Sequence, residues 1–111
     1  MKYKPLALLL LLTFSNTAIS AEVWLSSKVK SVYPLSNGDF IILFQENSPA
    51  CTSSEPSHYY YVSVGQNGVT LEGSKKIYSA ALTAGASGKS LVIAFDDSTA
   101  NCFINRASVH F

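Results

Sequence analysis

The chain has 111 residues and a formal net charge of +1, with eight lysine or arginine residues against seven aspartate or glutamate residues. This length suits a single small domain with a modest hydrophobic core. The balanced charge provides no basic patch that could hold a phosphate backbone, so we do not expect nucleic acid as a partner.

Residues 1–21 have the pattern of a cleaved secretory signal peptide. Two lysines precede an apolar core at residues 6–12, and the small residues Ala18 and Ser20 suit cleavage after Ser20, with cleavage after Ala21 nearly as suitable. The apolar core is too short to cross the roughly 30 Å of a bilayer's hydrocarbon, so we expect no stable membrane anchor. Residues 22–111 would then form a periplasmic or secreted domain, with six basic against seven acidic residues and a formal charge of −1.

Three strands are predicted in the first half of this domain. Residues 23–35 read as a long strand whose apolar positions change parity partway along, which predicts a β-bulge that bends the strand between two sheets. The turn signal Asn37-Gly38 separates it from a strand at residues 40–44 that is apolar on both faces. A loop at residues 47–57 leads to a third strand at residues 58–64, which is rich in tyrosine and valine.

Helical spacing then replaces alternation at residues 71–87. Thr70 is a suitable N-cap, and Gly88 can end the helix in the left-handed conformation. The periodicity predicts a buried side made of Leu71, Ile77, Tyr78, Ala81, Leu82 and Ala84. Two further strands follow at residues 91–95 and 102–111, separated by a polar turn.

The element order β-β-β-α-β-β in residues 22–111 predicts a mainly β fold with one helix. This order matches the five-stranded OB-like barrel, in which the helix lies between the third and fourth strands. An α+β sandwich with the helix on one face is the alternative.

Cys51 and Cys102 are the only cysteines. Small exported domains often need a cross-link because their cores bury little surface. A redox pair or a metal site fits poorly, since there is no Cys-x-x-Cys motif and the only histidines are His58 and His110. We therefore expect one structural disulfide between Cys51 and Cys102, and no metal or cofactor.

The stretch from Gly68 to Ala84, followed by Gly88-Lys89-Ser90 and the apolar residues 91–95, resembles a group of small exported bacterial proteins of unknown function. The plan of the whole domain is similar to that of the pentameric B subunits of AB5 toxins, the subtilase cytotoxin B subunits most of all. This resemblance implies an OB barrel, a ring-shaped homo-oligomer with helices lining its pore, and an outer surface that binds host glycans. No sugar-binding motif of that family is recognisable here, so the resemblance assigns no site residue.

The positions of the histidines and carboxylates favour a protein that is not an enzyme. His58 begins a predicted strand, His110 lies next to the last residue, and neither belongs to a nucleophile motif such as Gly-x-Ser-x-Gly. Asp96 and Asp97 are adjacent, so in a strand they would point to opposite faces. They read better as turn formers, and the loop at 96–101 lacks the ligand spacing of an EF-hand calcium site.

Exposed aromatic residues are the best candidates for a binding surface. Alternation in the third strand predicts Tyr60 facing the core, together with Val62 and Val64. Outward-facing tyrosines could stack on sugars or form a protein interface, and packing against the disulfide loop is the structural alternative. The only tryptophan either closes one barrel end or marks an edge that pairs with another subunit. The predicted ligand or partner surface is Tyr59, Tyr61, Ser63 and Trp24.

These observations predict a non-catalytic exported binding domain whose partner is a glycan, another protein or a second copy of the chain. The alternative is a periplasmic enzyme inhibitor or stress protein that docks through the loop at residues 47–57. A small hydrolase is the least favoured alternative, because it would need a deep polar pocket that joins a histidine to a carboxylate.

Overall fold

The computed structural model describes residues 21–53 and 58–111. Apart from its last residue, the predicted signal peptide lies outside the described residues, and so do residues 54–57 of the predicted loop. No helix in the described part of the chain is long and apolar enough to cross a membrane.

The described residues form five antiparallel strands and one helix. Their bounds are β1 Glu22–Pro34, β2 Phe40–Phe44, β3 Tyr60–Val62, α1 Leu71–Ser87, β4 Ser90–Asp96 and β5 Ile104–Val109. The strand order across the sheet is β3-β2-β1-β4-β5. The mainly β class is therefore confirmed, with one helix between the third and fourth strands.

β1 is bent at the predicted bulge. Residues Glu22–Lys28 pair with β4, residues Val29–Pro34 pair with β2, and the register shifts between Val29 and Ser31. The shift moves one residue out of alternation, which lets apolar residues of both parities face the same side. The residues of β1 that pack against the core are Val23, Leu25, Val29 and Val32.

The sheet is open, so the predicted closed barrel is not formed in the described residues. Its two end strands, β3 and β5, share no ladder. The Cys51–Cys102 disulfide links the chain before β3 to the turn before β5, and the N–H of Tyr61 in β3 donates to the carbonyl of Asn101 in that turn at 3.2 Å. β3 has only three residues, and Cys102 has a positive φ of 49°, which turns the chain before β5 begins.

The core lies between the inner face of the sheet and α1. Tyr60 is fully buried there, and its ring meets Phe44 and Phe95 edge-on at centroid distances of 5.1 and 5.2 Å. The backbone N–H of Ser48 donates to the Tyr60 hydroxyl at 2.9 Å. Burial raises the pKa of Tyr60 above its ordinary value of 10.0, and the Ser48 hydrogen bond opposes this shift in part.

The helix has the predicted bounds and caps. Thr70 accepts the N–H of Gly73 at its hydroxyl oxygen at 3.0 Å, and Gly88 ends the helix with a left-handed φ of 73°. The prediction was wrong for Leu71 and Leu82, which are 58% and 45% exposed. The stripe that reaches the core is narrower than the periodicity indicated, and both leucines lie to one side of it. The buried residues of α1 are Ser74, Ile77, Ala81 and Ala84.

Candidate functional site

A row of four aromatic rings runs along the outer side of the sheet. Consecutive ring centroids lie 6.3, 6.2 and 6.3 Å apart, and each pair meets edge-on. Ring quadrupoles favour this arrangement over face-to-face stacking. We call this row the aromatic face; in order, it consists of Tyr33, Tyr59, Tyr61 and Phe103.

The strand register explains how residues distant in sequence form the aromatic face. Tyr33 on β1 pairs with Ile41 on β2, and Ile41 pairs with Tyr61 on β3. Residues directly opposite each other in a ladder share one face of the sheet, so all three point away from the core. Ile41 is nevertheless only 2% exposed and lies outside the main core cluster, so we infer that the outer rings cover it.

The third strand places its tyrosines as alternation predicted. Tyr60 is fully buried, whereas Tyr59 and Tyr61 lie on the outer face and are half-buried. Val64 was predicted to face the core but is exposed, because β3 ends at Val62 and the chain turns. Ser63 is buried, and its hydroxyl donates to Oδ2 of Asp39 at 2.8 Å, so this group already has a partner.

Trp24 lies on a different part of the outer surface. It pairs with Ala94 of β4, and Ala94 pairs with Arg106 of β5. The guanidinium carbon of Arg106 lies 5.7 Å from the centroid of the Trp24 ring, and Arg106 also lies 3.6 Å from a carboxylate oxygen of Glu22. Trp24 thus lies on the outer face of the half of β1 that pairs with β4, with the Arg106 guanidinium beside its ring.

The predicted disulfide between Cys51 and Cys102 is present, with the two Cα atoms 5.7 Å apart. Both cysteines are buried. Cys102 directly precedes Phe103, and Cys51 precedes the segment that carries the two outer tyrosines of the third strand. The cross-link therefore holds together the two chain segments that supply one end of the aromatic face.

A cavity of about 490 Å³ opens between the β1–β2 hairpin and the first turns of α1. Its lining includes the rings of Phe40 and Tyr78, which meet edge-on at 5.0 Å. Leu71 forms part of its helical wall, and Asp39 and Lys75 are its charged lining residues. This volume falls within the range of small-molecule sites. Sequence reasoning missed the cavity because it assigned Leu71 and Tyr78, which form part of its helical wall, to the buried side of the helix.

The groups that hydrolysis would need do not gather at this cavity, whose lining includes neither histidine. His110 approaches the hydroxyl of Ser108 at 3.1 Å on the exposed surface. Asp96 accepts two hydrogen bonds from Ser98, at 2.9 and 3.0 Å, as expected of a turn former. In the described part of the chain, no three histidine, cysteine or carboxylate side chains are placed to hold a metal ion.

Comparisons with known proteins found no match to any protein-family model, curated protein or solved structure. The resemblance to toxin B subunits is therefore still a prediction. Fold and surface together describe a mainly β, disulfide-linked domain with an aromatic outer face.

Proposed function

We propose that the chain is a non-catalytic, exported binding module that recognises a neutral glycan on its aromatic face. The observation that supports this proposal is the row of rings on one outer face, with Tyr33 at its end 48% exposed. A tyrosine ring offers an apolar surface together with a polar tip. A sugar has a matching character, since C–H groups cover its faces and hydroxyls surround its rim.

The hydrogen-bonding state of the tyrosines favours a hydroxyl-rich ligand. Within residues 21–53 and 58–111, the phenol oxygens of Tyr33, Tyr59 and Tyr61 have no protein partner. Each phenol can both donate and accept a hydrogen bond. The four side chains that form the aromatic face are uncharged, which suits a neutral saccharide.

Export and an OB-like plan are part of the same proposal. The Cys51–Cys102 disulfide supports export, because such bonds persist in oxidising compartments. The bulged β1, which serves both halves of the sheet, and the helix before β4 support an OB-like barrel left open between β3 and β5. The toxin-like ring of subunits is an assembly that light scattering on the purified chain would detect.

A glycan array tests the proposal directly. The wild-type chain should bind a set of neutral glycans, and Tyr33→Ala should lose most of that signal because it removes the most exposed phenol. The matched control is Val64→Ala, since Val64 is also 48% exposed but is not part of the aromatic face. Circular dichroism of each variant checks the fold. Equal binding by the two variants, or no glycan binding by the wild type, would reject the proposal.

A further inference from the structure

One edge of β1 has no strand beside it over half of its length. β1 pairs with β4 only as far as Lys28, which lies opposite Ser90. Over Val29–Pro34 it pairs with β2, on its other edge. In the described part of the chain, the β4-side edge of this second half therefore has no ladder partner, and an unpaired edge of this kind is a template for pairing with another chain.

Helix α1 runs beside this open edge and leaves a groove along it. At the hairpin end lies the cavity of about 490 Å³ described above. At the bulge end, a second cavity of about 380 Å³ lies between residues 29–32 of β1 and Leu82, Gly85 and Ala86 of the helix. We call these two cavities together the edge groove.

The helical wall of the edge groove is an apolar stripe that is exposed except at Tyr78, which is half-buried. Leu71, Tyr78, Leu82 and Ala86 recur at helical spacing and so lie on one side of α1. Leu71 and Leu82 are the two helical leucines that were expected in the core and are instead exposed. An apolar stripe beside an unpaired strand edge is a surface that soluble proteins usually cover.

We propose that the edge groove binds an extended segment of another protein by β-strand addition. The segment's backbone would pair with β1 and would continue the ladder that β4 leaves at Ser90. Its alternate side chains would face α1, and a large apolar one would enter the cavity beside Phe40 and Tyr78. A small apolar molecule could fill that cavity, but it would leave the strand edge unpaired.

The charges along the edge groove favour an acidic segment. Lys30 lines the bulge end and Lys75 lines the hairpin end. Asp39, the acidic residue among the described lining residues, already accepts hydrogen bonds from Ser63 and Asn37, at 2.8 and 3.3 Å. Lys75 lies 3.8 Å from Glu72, but both side chains are largely exposed, so this weak pair leaves the lysine available. We therefore expect acidic side chains on either side of an apolar centre.

The test uses the folded chain and a short synthetic peptide with blocked ends, in which glutamates flank alternating valine and leucine. Saturating peptide should slow the hydrogen exchange of backbone amides within Val29–Pro34, as followed by NMR. A second peptide, with alternate backbone nitrogens methylated, should fail to bind because it cannot pair with the edge. Unchanged exchange with the first peptide, or equal binding of both, would overturn the proposal.

Two matched variants locate the binding. Leu71→Asp should raise the dissociation constant of the peptide about tenfold, because it removes an apolar contact and repels glutamate. Val64→Asp introduces the same charge at an exposed apolar residue that does not line the edge groove, and it should leave the constant unchanged. Equal weakening by both variants, peptide-induced shifts on the aromatic face, or self-association of the chain in place of peptide binding would contradict the proposal. None of these results depends on whether the aromatic face binds a glycan.

Discussion

The aromatic face and the edge groove differ in how completely the chain fills them. On the aromatic face, neighbouring rings meet edge-on, and we infer that they cover Ile41. In the edge groove, Leu71 and Leu82 stand exposed beside an unpaired strand edge. Exposed apolar surface therefore has two origins in this domain. The rings of the aromatic face pack against one another, which suits a ligand that stacks on them. The edge groove is unfilled, which suits a ligand that pairs with the strand edge and occupies the cavities.

Removing the disulfide should have the largest effect and should separate the two regions. Replacing Cys51 and Cys102 with serine should lower the free energy of unfolding by about 2–5 kcal/mol, as measured by chemical denaturation. Hydrogen exchange should accelerate first around Tyr61 and Phe103, because these residues adjoin the cross-linked segments. An equal acceleration throughout α1 would show that the cross-link does not act on the aromatic face in particular.

Two neighbouring isoleucines on β2 compare the inner core with the packing under the aromatic face. Ile42 belongs to the buried core cluster, whereas Ile41 is buried on the outer side, where the register places it between Tyr33 and Tyr61. Ile42→Ala should cost about 3–4 kcal/mol, and Ile41→Ala about 2–3 kcal/mol, because surface rings can settle into part of the space left behind. Thermal or denaturant unfolding measures both values. A cost below about 1 kcal/mol for Ile41→Ala would mean that the rings do not pack as one unit.

Tyr60 provides a pH-dependent contrast with the outer tyrosines. Tyr60→Phe should cost about 1–2 kcal/mol, because the buried N–H of Ser48 loses its acceptor. Since the folded-state pKa is raised, the stability that the neutral phenol contributes is fully present below about pH 10 and is lost as the pH rises through the raised value. Above pH 10 the wild type should therefore lose stability more steeply than Tyr60→Phe. Parallel stability curves for the two proteins would contradict this.

Removing the helix N-cap should have the smallest effect on stability and should weaken binding only at the edge groove. Thr70→Ala should cost about 1 kcal/mol of stability, because the N–H of Gly73 loses its acceptor. Fraying of the first turn would displace Leu71 and weaken peptide binding, while glycan binding should stay unchanged. Thr83→Ala, in the exposed middle of the helix, is the control and should leave both binding activities intact.

Sequence signals that involve only a few neighbouring residues correctly predicted the helix bounds and the β-bulge. Thr70 and Gly88 set the helix bounds, because capping depends on the local backbone. The parity change in β1 located the bulge. The third strand was predicted at residues 58–64 but spans only Tyr60–Val62, because in the described residues it pairs with Phe40–Ile42 of β2 and forms no ladder with β5. The local pattern of residues 58–64 contains no signal for the extent of that pairing.

The candidate sites depended more on tertiary structure. Alternation correctly placed Tyr59 and Tyr61 on the outer face, but only the strand register brings Tyr33 beside them. Helical periodicity alone could not distinguish the residues of α1 that reach the core from those beside them. It therefore predicted that Leu71 is buried, whereas Leu71 is exposed. The edge groove arises because β1 changes its partner strand at the bulge. The sequence predicts the bulge but does not indicate which edge of β1 is left unpaired there.

The most direct test of glycan binding on the aromatic face is an NMR titration of the ring resonances. The titrant would be the neutral saccharide that the array shows to bind best. We predict that the resonances of Tyr33, Tyr59 and Tyr61 shift on binding, while those of Trp24 and Tyr78 do not. Shifts at Trp24 or Tyr78, with the aromatic face unchanged, would contradict the proposed function.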